Sequence, residues 1–245
     1  MIIQQHSHDI KTATGTMRTY IYRPKAQGQF PTIIFYSEIF QQTAPIARSA
    51  ALMAGHGFVV LVPEVFHELN PIGTVLGYDD AGKDKGNQDK WRKPLEHHDS
   101  DTQALVNFIN QQSYCTDKIA SMGVCIGGHL AYRAALHESI LAAACLYATD
   151  IHSGDLPSNE NNDSLTRTKD INAELMMIWG KQDPHIPDEG RMKIHQNLLA
   201  SGNVFSWHEF NAEHAFMRDI GERYDPQLAL RVYNMSIELF NRTLK

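Results

Sequence analysis

Cysteine is scarce in this chain: three among 245 residues, at Cys115, Cys125 and Cys145. An odd, sparse set with no C-x-x-C spacing gives neither a disulfide framework nor a zinc ribbon. A reducing compartment is its simplest setting. Long apolar runs are missing as well, and none reaches the roughly 18 residues that span a bilayer, so no membrane partner is expected. The opening stretch, MIIQQHSHDI, has no charged start and no extended apolar core. No secretory signal is read there, and a cytoplasmic protein is expected. Basic blocks are also absent. The net charge is −6, the isoelectric point about 6.1, and the two signs are interspersed. Such a surface is not built to hold phosphate backbones, which argues against a nucleic-acid partner. The histidines at His67, His97 and His98 match no zinc spacing, so no metal is expected.

What is present is a hydrophobic fraction of 42%, enough for one large core. With no internal repeat and no break in composition, residues 1–245 read as one domain. MIIQQHSH and GTMRTYIYRP flank Thr12-Ala13-Thr14-Gly15 and read as a hairpin. Then short apolar runs alternate with helical patterns. The runs are TIIFY (32–36), FVVLVP (58–63), IASMGV (119–124), LAAACLYA (141–148), ELMMIWG (174–180) and VFSWHEF (204–210). Several are apolar on nearly every residue, as strands covered on both faces are. Helices are expected at 44–57, 99–112, 127–139, 188–202 and 225–244. The alternation implies an α/β fold with a doubly wound, mostly parallel sheet, its sites outside the carboxyl ends of the strands. Two stretches stand apart from it. Residues 64–98 read as a long polar loop forming a cap or pocket wall, and residues 150–170 as a surface excursion.

Cys125 lies in Gly123-Val124-Cys125-Ile126-Gly127, after a strand-like run and before a helix-like one. That is the setting of a nucleophile elbow, a turn so sharp that its flanking positions must be glycine. The elbow sets its central residue at a helix N-terminus, where free N–H groups favour a thiolate. An acid and a histidine should follow in that order. Asp183, in WGKQDPHIP, and His214, in NAEHAFMRD, each come just after an apolar strand. Alone, Cys125 reads as a small core residue, Asp183 as a turn residue and His214 as one of 13 histidines. Together and in order they read as a catalytic triad. Cys115, in a loop, and Cys145, in a strand, read as structural.

These markers, with SEIF after the first strand of the α/β region and RYDP before the last helix, resemble the dienelactone hydrolases, cysteine members of the α/β-hydrolase fold. The likeness covers nearly the whole chain. It implies Cys125 as nucleophile, His214 as base, Asp183 as its orienting partner and Glu38 as a carboxylate that helps generate the thiolate. It implies an oxyanion hole from the backbone N–H groups of Ile126 and Ile39. It also implies no metal or organic cofactor and a small ester or lactone substrate. Arg218 matches an arginine that holds a substrate carboxylate; the alternative is an ion pair with Asp219 or Glu222. Arg92 is the candidate for a second such arginine, with Trp91 and Tyr78 as further substrate contacts. A general carboxylesterase or thioesterase on a neutral substrate, and a non-catalytic binding protein of the same fold, remain as other readings. A monomer or small homo-oligomer is expected. Brief exposure to iodoacetamide, followed by mass spectrometry, should label Cys125 far faster than Cys115 or Cys145; equal, slow labelling would count against a poised thiolate.

Overall fold

The computed structural model describes residues 1–158 and 162–245. The expected hairpin is present: β1 (Ile3–Thr12) pairs antiparallel with β2 (Gly15–Pro24). The apolar runs become β3 (Phe30–Tyr36), β4 (Val59–Pro63), β5 (Cys115–Val124), β6 (Ile140–Leu146), β7 (Glu174–Gly180) and β8 (Phe205–Phe210). They form one eight-stranded sheet in the order β1-β2-β4-β3-β5-β6-β7-β8. β2 joins β4 antiparallel, and every pair from β4 onward is parallel. β3, β4 and β6 are buried almost without interruption, which is why their sequences show no alternation. β8 differs. It is an edge strand, paired only with β7, and its residues are mostly half-buried.

The helices are α1 (Ala44–Gly55), α2 (Asp80–Lys90), α3 (Leu95–Asn110), α4 (Ile126–Ala134), α5 (Asp188–Ser201) and α6 (Pro226–Leu244). α1 meets α6 through Ser49 and Tyr233, whose hydroxyls lie 2.6 Å apart. α3 meets α4 through Arg133, which forks onto Asp99 at 2.9 and 2.5 Å. α6 carries the clearest apolar stripe, from Ala229 and Val232 to Phe240 and Leu244, and Asp225 caps it by accepting from the Leu228 N–H.

Three expectations need correction. Residues 64–98 are not one loop: they hold all of α2 and the first turn of α3. α2, DAGKDKGNQDK, has one apolar residue and hence no stripe to reveal it. It is held instead by Asp79, which accepts from the Gly82 N–H at 2.8 Å, and by a Lys85–Asp89 pair one turn apart. α3 starts at Leu95 rather than at residue 99, because Leu95 and His98 already belong to its buried face. Cys115 lies not in a loop but at the start of β5, opposite Phe30, ahead of the polar residues 116–118.

Residues 150–170 are more than a surface excursion. Ser164 and Thr168 are buried against α4, bonded to His129 and Tyr132 at 2.7 and 2.5 Å. Residues 159–161 of that stretch lie outside the described residues.

Between β5 and α4 the backbone has no room for side chains. A Cβ on Gly123 would lie 1.8 Å from the Gly127 carbonyl oxygen, and one on Gly127 would lie 2.2 Å from that of Tyr36. Gly123→Ala should therefore cost at least ~2 kcal/mol of unfolding free energy, since the obstacle is backbone and cannot rotate away. A urea midpoint equal to wild type would contradict this.

Candidate active site

The parallel strands are in register at their carboxyl ends. Tyr36 is level with Gly123, Gly123 with Cys145, Cys145 with Met177 and Met177 with Trp207. Just beyond that row, β3 leads to Glu38 and Ile39, β5 to Cys125, β7 to Asp183 and β8 to His214. The sheet thus gathers residues far apart in sequence along one edge, as an open α/β sheet does.

Cys125 has φ 59° and ψ −126°, a conformation L-residues seldom adopt. Such backbone costs on the order of 1–3 kcal/mol and persists only where its surroundings over-determine it. Here they do: its N–H donates to Leu146 at 3.1 Å, and its carbonyl accepts from Gly128 at 3.0 Å and Thr149 at 3.2 Å. Ile126 follows as the first residue of α4. The thiol is partly exposed, whereas Cys115 and Cys145 are buried and burial pushes both thiols up, Cys145 the further.

His214 and Asp183 are both buried, with His214 Nδ1 2.6 Å from Asp183 Oδ2. The other Asp183 oxygen accepts from the His185 N–H at 2.8 Å, so the carboxylate is held at both ends. The Tyr147 ring meets His214 edge-on, with ring centres 5.2 Å apart. Burial opposes a charge on His214. The Cys125 sulfur and the hydrogen bond to Asp183 outweigh it and push the imidazole up to about 10. The ring is therefore bonded to the Asp183 carboxylate on the wall of the cleft that Cys125 also lines.

Glu38 is buried, and that burial pushes its carboxyl up. The opposing influences are the Tyr78 hydroxyl, which donates to Glu38 Oε1 at 2.5 Å, the Arg218 guanidinium and His214. Arg218 Nη1 lies 3.7 Å from Glu38 Oε2, and its guanidinium stacks 4.4 Å over the Tyr78 ring. The alternative pairing of Arg218 with Asp219 is not made, because Arg48 takes that carboxylate with two bonds of 2.5 and 2.7 Å.

These groups open on a cleft of about 760 Å³ that Glu38, Ile39, Tyr78, Cys125, His214 and Arg218 line. Trp91 and Arg92 do not line it. Both are exposed and border a separate shallow groove with Asp84, Asn87 and Gln88. Helical geometry explains the difference. Lys83, Asn87 and Lys90, spaced i, i+4, i+7, turn toward the cleft, and α2 has ended before Arg92. Lys83, Asn87, Lys90, His185 and Glu213 are lining residues that the sequence reading missed. The helical spacing of the three α2 residues was the available signal, but it lay in a stretch without apolar periodicity. Lys90 also pairs with Asp150 at 3.1 Å. Among the described residues, no three His, Cys, Asp or Glu side chains are grouped to hold a metal ion. No helix among them is long and apolar enough to cross a membrane.

Residues 17–244 match the model of a protein family described as the dienelactone hydrolase family. A Saccharomyces cerevisiae protein, named by inference as a carboxymethylenebutenolidase, is 38% identical over 258 residues, covering 100% of this chain and 94% of that one. The carboxymethylenebutenolidase of Pseudomonas sp. strain P51 is 23% identical over 218 residues, covering 89% of this chain and 87% of its own. The crystal structure of a Klebsiella pneumoniae protein described, by inference, as a dienelactone hydrolase superposes with a TM-score of 0.87 at 21% identity. It covers 99% of this chain and 100% of that one. At that identity the superposition speaks for the fold.

The charge on His214 has a consequence for stability. Between its ordinary 6.5 and about 10 the folded chain keeps a proton there that the unfolded chain has released. This contribution is full below 6.5 and is lost as pH rises toward the folded value. Unfolding free energy should fall across that window, and His214→Gln should flatten the fall. Urea midpoints measured across it check this; an unchanged slope in the variant would refute it.

Proposed function

The chain belongs to the dienelactone hydrolase family, and on that footing we propose that it cleaves a carboxylic ester or lactone through an acyl-thioester on Cys125. As a member of that family it is a carboxylic ester hydrolase. The observation that carries the proposed chemistry is His214, buried, hydrogen-bonded to Asp183 at 2.6 Å and lining the same cleft as Cys125, whose backbone is strained.

The Cys125 thiolate attacks the carbonyl carbon, forming a carbon–sulfur bond while the π electrons move onto oxygen. The N–H groups of Ile126 and Ile39 hold that oxyanion. Collapse restores the carbonyl, breaks the ester C–O bond and leaves the thioester, and His214 gives the departing oxygen a proton. Neutral His214 then takes a proton from water. The resulting hydroxide adds to the thioester, and the thiolate leaves with the acid product formed. Asp183 holds the imidazole in the tautomer and orientation that both transfers need.

Glu38 supplies the first thiolate. At rest, Tyr78 and Arg218 stabilise its charge. A substrate carboxylate competes for Arg218, and Glu38, freed in a buried site, becomes the stronger base and takes the thiol proton. Arg218 suits the task because its planar fork matches a carboxylate.

A panel of aryl esters and lactones, each with and without a carboxylate, tests this against wild type, Cys125→Ala and Arg218→Ala. Cys125→Ala should lose turnover by about 10⁴-fold or more. Arg218→Ala should weaken anionic substrates about tenfold more than neutral ones. Turnover retained in the Cys125 variant would sink the covalent route. Equal losses across the panel would remove the carboxylate role of Arg218 and favour a neutral ester or thioester as substrate.

A further inference from the structure

A glycine in the middle of α2 has no part in the chemistry above. In a helix interior glycine is about 1 kcal/mol worse than alanine, so Gly86 weakens a helix with little apolar support of its own. Its surroundings explain why it fits. A Cβ at Gly86 would lie 2.7 Å from the carbonyl oxygen of Ile39, 2.9 Å from the Ile39 Cβ and 3.2 Å from its carbonyl carbon. Two of these are backbone atoms, which cannot swing aside. Other ties join the same two segments. Leu76 N–H donates to Phe40 at 3.1 Å, and the Phe40 and Tyr78 rings meet with centres 4.7 Å apart. The Tyr78 hydroxyl reaches both Glu38, at 2.5 Å, and Thr43, at 2.7 Å. From another side, Lys85 and the fully buried Asp89 both tie α2 to Asn70, Lys85 donating to its amide oxygen at 2.7 Å and Asp89 accepting from its amide nitrogen at 2.8 Å. The helix is thus fixed elsewhere while its bare backbone bears on Ile39.

We infer that Gly86 is a positioning residue for the oxyanion site. By admitting α2 to contact distance, it fixes where Ile39 sits and hence where its N–H points. This rests on the proposed role of Ile39. An oxyanion donor works only within about 0.4 Å of latitude, between roughly 2.7 and 3.1 Å from the developing charge. A side chain at position 86 presses on the Ile39 Cβ and carbonyl and so displaces the residue whose N–H is the donor. It leaves Cys125, Asp183 and His214 in place, because none of them touches α2 through this contact.

The test is Gly86→Ala, assayed with a neutral aryl ester. The expected result is a fall in kcat of about 10- to 100-fold with KM little changed, since the lost contact exists only in the tetrahedral state. Affinity for an aryl trifluoromethyl ketone, whose cysteine adduct carries an oxyanion, should fall in parallel. Alkylation of Cys125 by iodoacetamide, which forms no oxyanion, should keep its wild-type rate. Should the alanine variant not fold, Lys85→Met releases the same helix from its other anchor and should give the same split. Wild-type kcat and ketone affinity would overturn the inference. So would an equal loss of kcat and alkylation, which marks a general distortion. Cys125→Ala assayed alongside separates the two levels: turnover there would sink the covalent reading itself, whereas an inactive Cys125 variant beside a fully active Gly86 variant would sink only this one.

Discussion

Where β5 turns into α4, backbone meets backbone with no space for a side chain, and the rest of the site takes its position from that contact. Gly127 bears on the carbonyl oxygens of both Tyr36 and Ser37, at 2.2 and 2.4 Å from where its Cβ would stand. The elbow is therefore set directly against the end of β3, from which Glu38 and Ile39 issue. The sulfur, the carboxylate beside it and one proposed oxyanion donor are positioned by a single steric junction rather than by three separate loops. The positive φ of Cys125 is what that junction leaves available, and backbone hydrogen bonds to Leu146, Gly128 and Thr149 hold it there.

Around the junction, two buried carboxylates are held differently. Asp183 receives N–H groups at both oxygens, one from a ring and one from backbone, which suits a group that orients and stays put. Glu38 receives a phenol at 2.5 Å and a guanidinium at 3.7 Å, both on side chains that line the cleft. Groups within reach of a ligand can be drawn away by it, whereas one of Asp183's two partners is a backbone N–H that cannot swing aside. The division of labour proposed for the two acids follows from this difference in support.

Much of this was legible in the sequence, and the exceptions share a cause. The strands were readable because burial on both faces makes their sequences nearly all apolar, as in β3 and β4. The order of Cys125, Asp183 and His214 was readable because each follows such a run. Resemblance to a family, not periodicity, singled out Glu38. What went unread was α2, a helix made by a cap, a charge pair and a buried aspartate rather than by an apolar stripe. Missing it turned the cleft wall into a loop and put Arg92 and Trp91 where Lys83, Asn87 and Lys90 stand. Hydrophobic patterning records contact with a core, and α2 makes its contacts through glycine and charge.

His214 follows β8, an edge strand of the sheet. An edge strand has backbone groups paired on one side only, and half-buried residues add little to hold it. Segments of that kind open at lower free energy than the core. The chain therefore carries its proposed proton carrier beside an edge of the sheet rather than at its centre. On warming, the enzyme would fall silent while its central strands and helices were still folded, and on cooling it would regain activity without having to fold again. Its working temperature range would then be set by one peripheral strand, whatever the stability of the core behind it.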